Sequence, residues 1–157
     1  FEHVSSMIRN ARTDGATISS RDTLPEDGFF VPPTVLSGLS NSARSAQEEV
    51  FGPVVSLIPF RDEQEAIAMA NDTTFGLAGA VWTGDVGRAH RVADQVRAGT
   101  FWINSYKAIH VSSPFGGSLN SGFGRSSGTD ALMEYTAAKS IWVDTAPTPR
   151  IAFGYVS

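Results

Sequence analysis

A carboxylate beside a stiff turn is the first feature of this 157-residue chain that has the chemistry to bind a ligand. Glu49 directly precedes Val50-Phe51-Gly52-Pro53, and the Gly-Pro pair predicts a tight turn into the apolar run that follows. A carboxylate held there can accept two hydrogen bonds from a ribose diol, and an adjacent phenyl ring can lie against a flat heterocycle. The residue types alone favour a simpler interpretation, in which the acid is an exposed loop residue and the ring belongs to the core.

A Gly- and Ser-rich segment, residues 107–128, is the second candidate for a functional site. It follows a short apolar run, Thr100–Ile103, that has the length and composition of a buried strand. Ligands of open α/β sheets bind beyond the carboxyl ends of the strands. A loop of about 20 residues is uncommon inside a compact domain unless it has a function. We therefore expect a site within residues 104–124.

The glycines of this loop do not form a phosphate-binding motif. Gly117 and Gly122 have the outer spacing of a P-loop, but Phe123 and Gly124 follow where that motif requires Lys and Ser or Thr. Gly122-x-Gly124 is followed by Ser127 at the third position of the dinucleotide fingerprint, where Gly is required. The sequence thus contains neither motif.

Composition excludes several further classes of function. The chain has no cysteine, so it carries no disulfide, thiolate metal site or cysteine nucleophile of its own, which fits a reducing compartment such as the cytoplasm. Its three histidines are far apart and none has an acid at ligand spacing, so we predict no metal site. A net charge of -4 argues against nucleic acid or an anionic membrane as a partner. No apolar run approaches the roughly 18–20 residues of a membrane span.

Periodicity predicts alternating helices and strands, and hence an α/β fold with a parallel sheet. Helices are expected at 1–13 and 63–70, from Asp85 to a stop at Gly99, and at 129–135. The expected strands are the mostly apolar runs 54–60, 79–83, Thr100–Ile103 and 140–143. Residues 29–33 are expected to be extended and residues 37–45 to form a loop.

Five ordered segments resemble signature motifs of the NAD(P)-dependent aldehyde dehydrogenase superfamily. They are FVPPTV (30–35), EEVFGP (48–53), ANDTTFGLA (70–78), AGTFWIN (98–104), and PFGG with SGFGR (114–125). The resemblance implies the parallel-sheet catalytic domain of that family, incomplete here. Residues 1–135 would be the partial catalytic domain, and residues 136–157 an oligomerisation strand and tail.

The resemblance also implies a reaction in which an aldehyde is oxidised to a carboxylic acid. A cysteine thiolate attacks the aldehyde, hydride leaves the thiohemiacetal for the nicotinamide, and water hydrolyses the thioester. A Glu acts as general base and an Asn stabilises the oxyanion. All three of those residues precede the first motif recognisable here, so we assign no catalytic residue. We expect a C-terminal fragment that is inactive alone, with Asn104 as a structural residue beside the loop.

The family motifs assign ligand contacts to six positions. Glu49 corresponds to the residue that binds the nicotinamide ribose of NAD or NADP, and Phe51 to the ring that packs near the nicotinamide. The loop after the Trp-x-Asn strand lines the substrate entrance in the family, which places four residues near the pocket: Tyr106, Ile109, His110 and Phe115. An aliphatic Ile109, where many relatives carry an aromatic residue, would widen the pocket. His110 would constrict it, meet a polar substrate or point into solvent.

The intact protein is expected to bind a small-molecule aldehyde and to form a homodimer or homotetramer through residues 140–143, because an exposed strand edge needs a partner. Two alternatives stay open at this stage. One is a non-catalytic binding or structural module derived from the family, and the other is a pseudoenzyme whose upstream cysteine is also replaced. The sequence leaves the aldehyde, the choice between NAD and NADP and the oligomer size undecided.

Overall fold

The structure is a computed structural model that describes residues 1–20, 24–25, 27–145 and 147. Helices and strands alternate along this part of the chain. In order they are α1 (Glu2–Thr13), β1 (Thr17–Ser20), β2 (Thr34–Ser37), α2 (Arg44–Gln47), β3 (Val54–Leu57), α3 (Glu63–Asn71), β4 (Phe75–Gly76), β5 (Ala78–Val81), α4 (Val86–Gln95), β6 (Thr100–Ile103), β7 (Ser118–Leu119) and α5 (Ala131–Glu134).

The N-terminal elements form a helix on a three-stranded sheet. Strand β2 lies in the middle, antiparallel to β1 and parallel to β3. Helix α1 buries Val4, Met7 and Ala11, which recur at helical spacing on one face. Ala11 packs with Leu36 and Leu39 in the core of this layer. This layer places the end of β2 and the start of β3 at a fixed position beside α1.

The C-terminal elements form a second layer around the parallel pair β5 and β6, in which Ala78 lies opposite Thr100. Helix α4 packs on both strands, and α3 contacts α4. Both helices begin at the predicted aspartates. Asp62 accepts a hydrogen bond from the backbone N–H of Glu65, and Asp85 accepts one from that of Arg88.

The long loop has more internal structure than its composition predicts. Its strand β7 pairs antiparallel with β4, and Phe115 forms an isolated bridge with Ser126. The N–H of each bridge residue donates to the other's carbonyl at 2.7 Å. The segment therefore consists of a tip, residues 105–113, and a base, residues 114–126, that is fixed to the body.

The predicted α/β class with parallel strand pairs is confirmed, but the sheets are small and incomplete. Among the described strands β3 pairs with β2 and β5 pairs with β6, so the expected alternation does not form one continuous sheet there. Sequence patterns predicted no strand at β1, β2 or β4 and no helix at α2. Elements β1 and α2 are four residues long and rich in polar residues, and they lack a clear period. Strand β4 has two residues, and β2 directly follows the segment 29–33 that was expected to be extended.

Helix α4 ends at Gln95, earlier than the predicted stop at Gly99. The side chain of Asn71 is the reason: its Nδ2 donates to the Gln95 carbonyl at 2.8 Å, and its Oδ1 accepts from the Arg97 N–H at 2.8 Å. The first bond satisfies a carbonyl that the end of the helix leaves without a partner, and the second holds the N–H of the residue after the C-cap. The terminating signal is thus a distant side chain, which local sequence does not reveal.

The strand predicted at 140–143 does not form: residues 136–145 contain no helix or strand. Ile141, Trp142 and Val143 are 74–81% exposed. A strand requires a neighbouring edge for its backbone hydrogen bonds, and no described edge of this chain pairs with the segment. The prediction is therefore wrong for the chain as it stands alone. The tail expected after residue 147 lies outside the described residues.

Hydrophobic burial is sparse for a chain of this length. The described residues contain only seven buried hydrophobic side chains, whereas large ones such as Trp82, Phe123 and Tyr135 are exposed. Among the described residues, no helix has the length and apolarity needed to cross a membrane.

Candidate cofactor and substrate site

The turn that carries Glu49 lies between α2 and β3 and is tied to the first sheet. The N–H of Thr34, at the start of β2, donates to the Pro53 carbonyl at 2.8 Å. The N–H of Val54 donates to the Gly52 carbonyl at 2.7 Å and closes a tight bend. The backbone of this turn is therefore fixed to the two central strands.

Helix α1 supports the same turn from the other side. Nε2 of His3 lies 3.3 Å from the Glu49 carbonyl oxygen. A Cβ built on Gly52 would lie 2.8 Å from both methyl groups of Val4. Only a glycine permits this approach, so the helix and the turn are in direct contact.

The turn presents a carboxylate and an aromatic ring at its surface. Both Glu49 and Phe51 are exposed, Phe51 by 86%. No hydrogen bond or ion pair within the described residues involves the Glu49 carboxylate, whereas neighbouring Glu48 is held by Arg44 Nε at 2.8 Å. Phe51 has φ 51°, in the left-handed region that bulky residues rarely adopt. Strain and exposure at an apolar side chain are typical of a binding position.

The tip of the loop starts from a clamp at the ends of β5 and β6. Asn104 has φ 51°; its Oδ1 accepts from the Thr83 N–H at 2.8 Å and its Nδ2 donates to the Thr83 carbonyl at 2.9 Å. Both ends of the amide are thus committed to the backbone. This use matches the structural role expected for the residue and fixes the direction in which the loop leaves the sheet.

Trp102 holds the tip over the end of the sheet. Its Nε1 donates to the Ala108 carbonyl at 2.8 Å, and its ring packs edge-on against Tyr106 with centroids 5.5 Å apart. Lys107 follows in the left-handed region with φ 58°, and its Nζ lies 5.5 Å from the Tyr106 ring centroid. At the start of the tip, Tyr106 is therefore paired with Trp102 of β6 and has an ammonium group beside it.

The second part of the tip contains His110. Its Nδ1 lies 2.6 Å from Ser112 Oγ and accepts from the Ser112 N–H at 3.2 Å. Both contacts use Nδ1, so they tie one side of the exposed ring to the loop.

The base of the loop docks closely against the start of β6. A Cβ on Gly99 would collide with the Gly116 carbonyl oxygen, so the two backbones touch. Arg125 Nη1 donates to the Gly117 and Gly124 carbonyls, each at 2.7 Å. Phe115 lies half-buried in this base.

A cavity of about 760 Å³ joins the turn to the tip of the loop. Its walls include Glu49, Phe51 and Tyr106, three residues that the sequence analysis assigned to ligand binding, together with Lys107. Ile109 and His110 stand exposed further along the tip, and Phe115 lies in the base; none of these three lines the cavity. Sequence reasoning missed Lys107, and its one signal was the position directly after an aromatic loop residue.

A larger cavity, of about 1140 Å³, has a different character. It is lined by α3, α4 and the strand β5, and shares Ala46, Glu48 and Glu49 with the smaller one. None of the loop residues 104–117 reaches it. Its walls are the open face of an incomplete sheet, so the smaller cavity is the better candidate for the site.

Charged groups with shifted pKa values lie on the scaffold. The pKa of Glu63 is lowered by hydrogen bonding to Arg91, with a further contribution from Arg88, and these pairs link α3 to α4. The described residues contain no group of three or more potential metal ligands.

The profile of the aldehyde dehydrogenase family matches residues 1–141. The chain belongs to the aldehyde dehydrogenase family. The family inferred from the five motifs is thereby confirmed, and the match extends to helix α1 and to the start of the predicted oligomerisation segment.

Curated aldehyde dehydrogenases give the same result. The chain is 43% identical over 150 residues to a betaine aldehyde dehydrogenase of Rhizobium leguminosarum bv. trifolii, covering 93% of this chain and 31% of the relative. It is 45% identical over 148 residues to a betaine aldehyde dehydrogenase of Agrobacterium fabrum, covering 92% of this chain and 30% of that relative. The chain thus spans about three tenths of the length of these aldehyde dehydrogenases.

Solved aldehyde dehydrogenases share the fold. Betaine aldehyde dehydrogenase from Staphylococcus aureus, in complex with NAD+, superposes with TM-score 0.88 at 41% identity, covering 98% of this chain and 32% of that structure. A mutant P. syringae indole-3-acetaldehyde dehydrogenase, in complex with NAD+ and IAA, superposes with TM-score 0.85 at 42% identity. The superposition covers 90% of this chain and 29% of that structure. The nicotinamide dinucleotide cofactor predicted from the motifs is confirmed for the family.

The residues of this chain fit one end of such a cofactor. An unpaired carboxylate suits a ribose diol because it accepts hydrogen bonds and donates none, and an exposed phenyl ring suits the face of a nicotinamide. The cavity brings both groups to the same wall. The fit therefore concerns the nicotinamide end of the dinucleotide.

Proposed function

We propose that the protein containing this chain is an NAD(P)-dependent aldehyde dehydrogenase that oxidises a small aldehyde to a carboxylic acid. The cavity carries the proposal, because it combines a cofactor-type turn, Glu49 and Phe51, with a substrate-type loop residue, Tyr106. Two separate stretches of sequence that resemble the family's cofactor and substrate segments thus meet at one place.

In this proposal Glu49 accepts hydrogen bonds from the nicotinamide ribose and Phe51 packs beside the nicotinamide. The bound dinucleotide accepts the hydride that leaves the substrate carbon. The chain's own contribution is positioning: α1 and β2 fix the turn, and the Asn104 clamp fixes the loop. Correct placement of two reactants lowers the barrier of the chemical step, because they have already lost their translational and rotational freedom on binding.

The remaining loop residues are assigned to the substrate entrance. Ile109 and His110 lie beyond the cavity on the exposed tip, and Phe115 lies at the hinge between tip and base. This arrangement supports a role in admitting the substrate rather than in contacting the reacting carbon.

The chain alone lacks the groups that perform the chemistry. It contains no cysteine, and it spans about three tenths of the relatives that it matches. We therefore propose that residues 1–135 form part of a catalytic domain whose nucleophile, general base and oxyanion donor precede them. A thiolate nucleophile is protected from oxidation in a reducing compartment, which supports a cytoplasmic location.

Residues 136–157 are proposed to carry the oligomerisation strand and a tail. The exposed run Ile141-Trp142-Val143 supports this assignment, because such an apolar run is costly to leave in water and has the length of a strand. Pairing with an edge of a second subunit would give the homodimer or homotetramer.

The test uses the full-length protein that contains this chain. NADH or NADPH formation is measured with a panel of small aldehydes, before and after alkylation by iodoacetamide. The proposal expects aldehyde-dependent reduction of the cofactor that alkylation abolishes, with partial protection by NAD+. Absence of reduction with every aldehyde would instead favour the pseudoenzyme or the non-catalytic module.

A further inference from the structure

Tyr106 offers an aromatic face at the wall of the site cavity. The side chain is 61% exposed and is supported edge-on by Trp102 at 5.5 Å, with an interplanar angle of 72°. Aromatic faces of this kind bind quaternary ammonium groups through cation–π attraction. An aldehyde with a trimethylammonium group, as in betaine aldehyde, is the type of substrate that a vacant aromatic face would favour.

The face is not vacant in this chain, because Lys107 covers it. Its Nζ lies 5.5 Å from the Tyr106 ring centroid, within the range of a cation–π contact. The backbone of Lys107 has φ 58°, in the left-handed region that non-glycine residues uncommonly adopt. The chain's own cation therefore stands where a cationic substrate would place its charge.

Lys107 is the basic side chain among the described residues that line the cavity. The other lining residues include two carboxylates and no Lys, Arg or His. Glu48 is paired with Arg44, and Glu49, which the proposed function places on the cofactor ribose, keeps its own charge. Within the described residues the Lys107 ammonium has no carboxylate partner, so it is available to an anion that enters the cavity. A second positive charge beside it would be repelled.

We infer that this site selects aldehydes that carry a carboxylate away from the carbonyl and discriminates against quaternary ammonium aldehydes. Lys107 is the specificity-determining residue. The inference deepens the proposed function and rests on it. It also separates this chain from relatives whose names specify betaine aldehyde, to which it is 43–45% identical.

The test compares three aldehydes that differ in charge, with the full-length enzyme. They are succinic semialdehyde, betaine aldehyde and 3,3-dimethylbutanal, the neutral isostere of betaine aldehyde. We expect kcat/KM to be highest for succinic semialdehyde. We expect kcat/KM for betaine aldehyde to be about tenfold lower than for its isostere, because repulsion between two partly solvated charges is of that size. Equal or better turnover of betaine aldehyde relative to the isostere would overturn the inference.

Lys107→Met provides the variant, because it keeps the length of the side chain and removes the charge. We expect about a tenfold loss with succinic semialdehyde, expressed in KM, a gain of similar size with betaine aldehyde, and a change within about twofold for the isostere. Arg9→Met, which removes an exposed cation from α1, is the control for total charge and should change none of these ratios. An unchanged charge preference in Lys107→Met would contradict the assignment.

Calorimetry supplies a readout that is independent of turnover. Succinate should bind the enzyme–cofactor complex more tightly than choline, and Lys107→Met should reduce or reverse the difference. Choline binding at least as tightly as succinate in the unmodified enzyme would overturn the inference. Failure of the proposed function has a different signature, since no aldehyde of any charge would then be oxidised, and the inference would fall with it.

Discussion

At the scale of single residues, Glu49 and Phe51 carry the proposal for the cofactor end of the site. Among the described residues the Glu49 carboxylate has no partner, and Phe51 is an exposed ring in the left-handed region. Both lie on a turn fixed by α1 and β2. Sequence alone identified their chemistry but favoured the simpler interpretation of a core Phe. The structure supplies what the sequence lacked, namely that the ring is 86% exposed.

Glu49→Gln should weaken NAD+ binding to the full-length enzyme about tenfold. The amide retains one acceptor oxygen but loses the charge that strengthens hydrogen bonds from a diol. Titration calorimetry measures the effect. Glu48→Gln is the matched control, because that carboxylate is already engaged by Arg44. If both variants bind NAD+ alike, the ribose contact is assigned to the wrong residue.

Lys107 marks the limit of residue-level reasoning from sequence. The motifs predicted the loop and four of its residues, yet nothing in the order Tyr106-Lys107 shows that the ammonium folds back over the ring. That contact depends on a backbone conformation, φ 58°, which residue types do not specify for lysine.

At the scale of elements, local signals were sufficient where the cause is local. Asp62 and Asp85 each precede their helix, and each accepts the backbone hydrogen bond that the capping pattern predicts. Gly99 shows the converse. It resembled a helix stop, but Asn71 ends α4 from another element, and Gly99 is required for contact with the loop base.

Gly99→Ala should release the base of the loop from the start of β6. The added methyl group collides with the Gly116 carbonyl oxygen, and overpacking of this kind costs about 1–3 kcal/mol. Limited proteolysis of the full-length protein should then cut within residues 105–128 faster, and thermal unfolding should begin earlier.

Gly84→Ala is the control for the same chemical change. A Cβ at Gly84 has nothing within 4 Å, and its backbone is not in the left-handed region. Proteolysis and unfolding should stay close to those of the unmodified protein. Equal effects of the two substitutions would contradict the close docking of the loop base.

At the scale of the whole molecule, the described chain is an incomplete structure. Its strands form three small sheets, few hydrophobic residues are buried, and the larger cavity is the uncovered face of β5 and its helices. The sequence predicted the α/β class because alternation is a local property. It did not predict the separation of the sheets, because strand pairing depends on neighbours that residue patterns do not identify.

The segment 140–143 carries the prediction about assembly. Ile141→Asp should shift the full-length protein from a homodimer or homotetramer toward smaller species, because a charge in an apolar strand interface is left unpaired. Light scattering coupled to size exclusion measures the mass. Val86→Asp, the same kind of change at an exposed position on α4, should leave the mass unchanged. An unmodified protein that is monomeric at all concentrations would refute the assembly role.

The most direct test of the central claim is NADH formation by the 157-residue chain alone, measured beside the full-length protein with the same aldehydes. The chain carries the turn and the loop but no cysteine. We predict no NADH from the chain and aldehyde-dependent NADH from the full-length protein. NADH formation by the chain alone would contradict the division between a positioning part and a separate nucleophile.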